Sequence, residues 1–175
     1  MSSITPVVLW MSGLSGAGKS TVAYTLKEKL QAEKFLCEVL DGDVLRTGIN
    51  YGLGFNESDR KENVRRSAEI AKILCANNFI VICSLITPTN ELREIAKTII
   101  GDKFKLIYVS SSLEICKKRD VKGLYNKATK GEISSFTGIS APFDIPSGPN
   151  FILDTQNQAV EQSVEALYEF LKSLN

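Results

Sequence analysis

The sequence predicts an α/β protein in which a five-stranded, mainly parallel sheet lies between two layers of helices. Three observations predict it. Runs such as "VVLWMS" (7–12) and "FIVICSLI" (79–86) are apolar at nearly every position, the pattern of strands buried on both faces. Segments with apolar residues at helical spacing separate these runs, so strand and helix alternate along the chain. A glycine-rich stretch, "GLSGAGKS" (13–20), follows the first strand and opens the first helix.

In chain order, "VVLWMS" is the first strand. From Ser20, "STVAYTLKEKLQAEK" places Val22, Leu26 and Leu30 on one helical face. "FLCEVLDGD" is a second strand that stops at Asp41. "DRKENVRRSAEIAKILCANN" reads as a helix with Val64, Ala68, Ala71 and Cys75 on one face. Ser58 is its expected N-cap, with Asp59 and Glu62 favourable to the dipole of the first turn. "FIVICSLI" is the third strand, followed by a helix from about Asn90 to Ile100. "FKLIYVS" (104–110) is the fourth strand, "SLEICKKRD" a short helix and "NFILDT" (150–155) a short fifth strand. The last segment, "AVEQSVEALYEFLKSL", is an amphipathic helix with Val160, Val164, Leu167 and Leu171 in register. Residues 120–149 break the alternation, with Pro142, Pro146, Pro149 and four glycines but no long apolar run. A segment of this kind in a compact domain is usually functional, and in a phosphotransferase it would be a lid.

Composition narrows the function. The chain has 175 residues, the length of a single domain over 1–175 that can bury a real core. With 21 basic and 20 acidic residues it lacks the positive excess of a sequence-independent nucleic-acid binder, and no nucleic-acid partner is expected. It has no histidine, which removes imidazole acid–base catalysis, Ser-His triads and most zinc sites. Cys37, Cys75, Cys83 and Cys116 each sit in an apolar run without a CxxC pair, the pattern of buried thiols in a reducing cytosol. "MSSITPVVLWMSGLSG" has no basic n-region of a leader, and no apolar run approaches the roughly 20 residues of a membrane span. A soluble cytoplasmic protein with no membrane partner is expected.

Gly13-Leu14-Ser15-Gly16-Ala17-Gly18-Lys19-Ser20 fits GxxxxGK[ST] in full, in the strand–loop–helix context that gives the motif its meaning. The motif specifies a three-layer αβα P-loop NTPase fold. Its glycines let backbone N–H groups turn toward phosphates, and the helix N-terminus adds positive charge. The ATP contacts expected are Gly13, Ser15, Gly16, Ala17, Gly18, Lys19, Ser20 and Thr21, with Lys19 on the β- and γ-phosphates and Ser20 on Mg²⁺. Such a site also needs a carboxylate near the metal. The third strand ends without one, whereas the second delivers Asp41 to the edge of the sheet where ligands bind. Asp41 either supports Mg²⁺ through water, takes a proton from an acceptor hydroxyl, or is only a turn-former in "LDGD".

Between that strand and the next lies "DGDVLRTGINYGLGFNESDRKENVRR" (41–66), dense in charge. Arg60, Asn63 and Arg66 recur every three residues beside the apolar face of their helix, and Phe55 offers a ring that could stack on a base. Spacing alone leaves two readings, a site for an aromatic anionic acceptor or a solvated helix face laced with ion pairs.

With "GLSGAGKST" before it and "RDVKGLYNKATKGEISSFTGISAPFDIP" after it, this segment resembles the adenylyl-sulfate kinase family over nearly the whole chain and in the right order. The resemblance implies transfer of the γ-phosphate of ATP to the 3′-hydroxyl of adenylyl sulfate (APS), with Mg²⁺, to give 3′-phosphoadenylyl sulfate for sulfate activation, and it implies a homodimer. It implies catalytic roles for Lys19, Asp41 and Lys122, with Asp41 near the metal and the acceptor hydroxyl. It places Asp43, Arg46, Phe55, Arg60, Asn63, Arg66, Ile86, Thr87, Lys122 and Phe136 at the acceptor, with Phe55 and Phe136 either side of its adenine. Arg119 and Asp120 would begin the lid near the ATP base. Arg65, rotated away on the helix, reads as surface.

The chain departs from the family after the third strand, where Ile-Ser-Pro-Tyr is usual and "LITPTN" stands here. Thr87 takes the place of the serine, and its expected role is a backbone contact shared with Ile86 rather than nucleophilic attack. Arg93 is expected to supply the charge that Asn90 lacks. The lid reads "GISAPF" where an acidic residue commonly follows the isoleucine.

Overall fold

A computed structural model describes residues 4–174. Residues 1–3, part of the stretch read above for a leader, and residue 175 lie outside the described residues. The strands β1 (Val8–Ser12), β2 (Cys37–Asp41), β3 (Ile80–Ser84), β4 (Phe104–Ser110) and β5 (Phe151–Asp154) form one sheet in the order β2-β3-β1-β4-β5. Every pairing in it is parallel, so "mainly parallel" understates the sheet.

The sheet is covered on both faces because its strands are apolar on both. Val8 and Trp10 of β1 point to one side, and Leu9 and Met11 to the other. On the Leu9 side pack α1 (Lys19–Ala32), through Val22, Leu26 and Leu30, and the last helix (Val160–Lys172), through Val164, Leu167 and Leu171. On the Trp10 side pack the helix Glu57–Ala76, through Val64, Ala68, Ala71 and Cys75, and the helix Asn90–Ile100, through Leu92 and Ala96. Burial of these side chains contributes roughly 1.5–3 kcal/mol for each large one, which is what holds the layers to the sheet.

Two short helices escape the periodic reading. They are α2 (Gly42–Thr47) and α6 (Leu124–Thr129), so the helices above are numbered α3 (Glu57–Ala76), α4 (Asn90–Ile100), α5 (Leu113–Arg119) and α7 (Val160–Lys172). α2 buries no residue and α6 only Tyr125 and Ala128, too few to leave a hydrophobic period. Local hydrogen bonds start them instead. Asp41 Oδ1 accepts from Asp43 N at 2.9 Å, and the Asp120 carboxylate accepts from Tyr125 N and Asn126 N at 3.0 and 3.1 Å.

The N-cap of α3 is Asn56, not Ser58. The extended Asn56 accepts from Asp59 N at 2.8 Å, and Ser58 only donates its hydroxyl to Asn56 Oδ1. All four cysteines are buried free thiols. Burial pushes Cys37 up to about 12 and Cys83 higher still. No helix among the described residues is long and apolar enough to cross a membrane.

Candidate active site

Strand register assembles the site. Asp41 of β2 and Met11 of β1 both pair with Ser84 of β3, so the three strands end level beside the loop that leaves β1. This is the C-terminal edge of a parallel sheet, where α/β proteins bind ligands. A cleft of about 680 Å³ opens there.

The loop itself is shaped by close approach and left-handed backbone. A Cβ on Gly13 would come within 2.5 Å of the Val109 carbonyl oxygen, so only glycine fits between β1 and β4. Gly18, at φ +91°, caps α1 in the left-handed conformation that glycine adopts without strain. Lys19 is the first residue of α1, and its Nζ donates to the carbonyls of Gly13 and Leu14 at 2.9 and 2.8 Å. It is buried, and that burial lowers its pKa to about 8. A phosphate beside Nζ would restore the charged form.

Ser20 faces the strand ends. Its hydroxyl donates to Asp41 Oδ2 at 2.5 Å and lies 3.1 Å from Ser84 Oγ. Among the described residues no cluster of His, Cys, Asp or Glu could hold a metal by protein ligands alone. The Ser20–Asp41–Ser84 oxygens nevertheless suit Mg²⁺, which takes hard oxygen ligands, usually one carboxylate with waters and substrate phosphates.

The opposite wall is cationic and aromatic. The Arg46 guanidinium lies 4.3 Å from the centre of the Phe55 ring, and that of Arg60 lies 5.7 Å away. Arg46 donates to the carbonyls of Leu53 and Gly54 at 2.8 and 3.1 Å. Arg60 donates from Nε to Phe55 O and from Nη2 to Ser135 O, both at 2.8 Å. It thereby straps the loop of one aromatic to the residue beside the other, Phe136. Phe136 in turn meets Tyr125 edge-on at 5.0 Å. Burial lowers the pKa of Arg60, and the like charge of Arg46 lowers it further, so an anion set between the two is favoured.

Residues 120–149 fold over the cleft. Lys122 is hydrogen-bonded to Asp43, both side chains open to solvent. An exposed pair of this kind is worth little and is easily exchanged for a ligand. Arg119 donates to Gly16 O at 3.4 Å and Thr155 O at 2.6 Å, which holds the start of this segment against the phosphate loop.

Most of the expected residues line this one cleft: Ser15, Gly16, Gly18, Lys19, Ser20, Thr21, Asp41, Asp43, Arg46, Phe55, Arg60, Asn63, Ile86, Thr87, Arg119, Lys122 and Phe136. Three are not in its wall. Gly13 and Ala17 sit behind the loop, where Ala17 N donates to Leu14 O at 3.2 Å. Arg66 is turned away, tying Glu62 at 2.7 Å to the Ile49 carbonyl at 2.9 Å. Arg65 pairs with Glu62 on the exposed side, at 2.7 and 2.9 Å.

Arg93 corrects a further expectation. It is buried and does not supply charge to the cleft. Its guanidinium donates to Ser12 Oγ at 3.1 Å, Asn90 Oδ1 at 2.7 Å and Asp144 O at 2.6 Å, which pins the far end of residues 120–149 to the β3–α4 turn. Thr87 in that turn is buried at φ +41°, a strained value for a β-branched residue. Its hydroxyl accepts from Trp10 Nε1 at 3.0 Å, an anchoring role. Ser84 and Thr155 also line the cleft and carry no motif that would single them out.

A loop of this sequence leaving a central parallel strand, a carboxylate level with it and a facing cationic wall define a P-loop phosphotransferase. Residues 5–154 match the family model for adenylylsulphate kinase. The adenylyl-sulfate kinase of Bacteroides thetaiotaomicron is 52% identical over 166 residues, covering 94% of this chain and 83% of its own. That of Halothermothrix orenii is 45% identical, covering 95% of this chain and 89% of its own. The chain belongs to the adenylylsulphate kinase family. Among solved structures, the APS kinase CysC of Mycobacterium tuberculosis in complex with AMPPNP and APS superposes with a TM-score of 0.93 at 36% identity, covering 97% of this chain and 99% of its own. A gluconokinase from Sinorhizobium meliloti, at 14% identity and a TM-score of 0.64, shares the fold alone.

Proposed function

We propose that this chain transfers the γ-phosphate of ATP to the 3′-hydroxyl of adenylyl sulfate, yielding 3′-phosphoadenylyl sulfate and ADP. The observation that carries the reading is the continuity of one cleft. Lys19 and Ser20 line one end, Arg46, Phe55, Arg60 and Asn63 the other, and Asp41 stands on the sheet edge with them.

Phosphoryl transfer depends on positioning and charge neutralisation more than on a strong base, which suits a chain without histidine. Backbone N–H groups of Ser15 to Thr21 and the α1 N-terminus hold the triphosphate, and Lys19 bears on the transferred group. Ser20, and Asp41 through water, would hold Mg²⁺, which supplies charge neutralisation on the phosphates when bound. Asp41 also stands where it can orient the acceptor hydroxyl. Arg46 and Arg60 meet the phosphate and sulfate of the acceptor, with Asp43, Asn63 and the Ile86–Thr87 backbone completing its site. Phe55 and Phe136 flank its adenine. Arg66 supports this wall from behind. Residues 120–149 act as a lid on a single domain, with Lys122 leaving Asp43 for the substrates and water excluded on closure. The buried free thiols support a reducing, cytoplasmic setting, and the family resemblance supports a homodimer.

The test is an assay with ATP, Mg²⁺ and a panel of acceptors. Turnover with adenylyl sulfate, in preference to nucleoside monophosphates and sugar acids, is expected. No turnover with adenylyl sulfate from folded, ATP-binding protein rejects the reading.

A further inference from the structure

One side chain of the acceptor wall has its orientation set from behind. Asn63 lines the cleft, whereas Asn50, on the loop between α2 and α3, is fully buried and does not reach it. Asn50 Nδ2 lies 3.0 Å from Asn63 Oδ1 and 3.4 Å from Ser67 Oγ. The oxygen and nitrogen of an amide are told apart by their partners, and here one hydroxyl decides the whole set. Ser67 Oγ sits 2.7 Å from the Asn63 backbone carbonyl, which only accepts, so the hydroxyl proton is committed there. Toward Asn50 the same oxygen can only accept, and the atom facing it must be Nδ2. The other proton of that NH₂ points to Asn63, which must present Oδ1.

Asn63 Nδ2 is therefore the end turned to the cleft, and it has no protein partner among the described residues. Reversing both amides would require the Ser67 hydroxyl to leave its 2.7 Å bond to the Asn63 carbonyl and turn to Asn50 Oδ1 at 3.4 Å. It would also put an NH₂ where Asn50 Oδ1 now stands buried without a partner, leaving two donors unmet in place of one acceptor.

We propose that Asn50, acting with Ser67, is a positioning residue that holds the Asn63 amide with its NH₂ toward the acceptor. Asn63 then reads a lone pair on the acceptor, from a ring nitrogen or an anionic oxygen, and disfavours a hydrogen-bond donor at that point. The inference rests on the acceptor site proposed above.

A double-mutant cycle of Asn50→Ala and Asn63→Ala tests it, following kcat and KM for adenylyl sulfate with the KM for ATP and the Tm alongside. Each single variant is expected to raise the acceptor KM about tenfold, with the KM for ATP held within about twofold. The double variant is expected to be no worse than Asn63→Ala alone, because Asn50 acts through Asn63. Fully additive effects, an equal rise in both KM values, or an unchanged acceptor KM in folded Asn50→Ala overturns the proposal. Should Asn50→Ala fail to fold, the cycle is run with Ser67→Ala, which removes only the committing hydroxyl and should raise the acceptor KM several-fold by the same non-additive route. A wild-type protein that does not turn over adenylyl sulfate removes the acceptor reading and this inference with it. A working wild type with an additive cycle removes the positioning role alone.

Discussion

The two walls of the cleft are built in different ways. The phosphate-loop wall is mainly local: Lys19 holds the carbonyls of Gly13 and Leu14, six and five residues away, and Gly18 turns the chain into α1 on its own backbone. The proposed acceptor wall also has local bonds, from Arg46 to Leu53 and Gly54 and from Arg60 to Phe55, but it is closed from a distance. Arg60 reaches Ser135 across 75 positions and Lys122 reaches Asp43 across 79. A local wall stands whenever β1 and α1 are packed. A wall made of distant strands of chain depends on residues 120–149 being closed over the sheet edge. Nucleotide binding and acceptor binding should therefore be separable by substitution.

The largest effect is expected from Lys19→Ala, which removes the cation proposed to bear on the transferred phosphoryl group. A fall in kcat of about 10²–10³-fold should follow, with the Tm held or raised because a buried ammonium is gone. Steady-state kinetics and a melting curve check this together, and an unchanged kcat contradicts the role.

A smaller effect, still in the local wall, concerns pH. Burial lowers Lys19 from its ordinary 10.5 to about 8 in the folded chain. Below pH 8 the ammonium is charged in both folded and unfolded chains, and its burial counts against the fold. Between about 8 and 10.5 the unfolded chain holds the extra proton, so that penalty shrinks as pH rises. Nucleotide binding has the opposite dependence, because a triphosphate favours the charged form and above pH 8 a proton must be taken up. The affinity for ATP should be flat from pH 6.5 to 7.5 and then weaken by up to about tenfold per unit above pH 8. Calorimetry in buffers of different ionisation enthalpy should register the proton uptake, and a flat affinity to pH 9.5 contradicts it.

The smallest effect is expected at Arg65, beside the acceptor wall but outside it. Arg65→Ala should change stability by no more than about 0.5 kcal/mol and leave both KM values alone, since it loses only an exposed pair with Glu62. A weakened acceptor KM in this variant would mean that the boundary of the site is misdrawn.

The same division governs what could be read from sequence. The five strands and five longer helices announce themselves through apolar runs and helical spacing, and the phosphate loop through a local motif. α2 and α6 do not, because they bury almost nothing and depend on the carboxylates of Asp41 and Asp120. Ser84 gives no signal at all, since a serine ending an apolar strand matters only through its register with Asp41. Arg93 and Arg66 are absent from the lining of the cleft for one reason. Spacing puts a charge on a helix face but cannot say that Ser12, Asp144 or Ile49 already occupies it. Phe55, Arg60 and Asn63 line one cleft, yet the strap from Arg60 to Ser135 is visible only once the chain is folded.

The most direct test of two separable walls is to titrate ATP and adenylyl sulfate, each alone, into wild-type protein and Arg60→Ala. Losing one charge-assisted contact should weaken adenylyl sulfate by about 1.5–3 kcal/mol, roughly 10- to 150-fold in Kd, while the Kd for ATP and the Tm stay close to wild type. Equal weakening of both ligands, or no weakening of either, would contradict a separate acceptor wall built around Arg60.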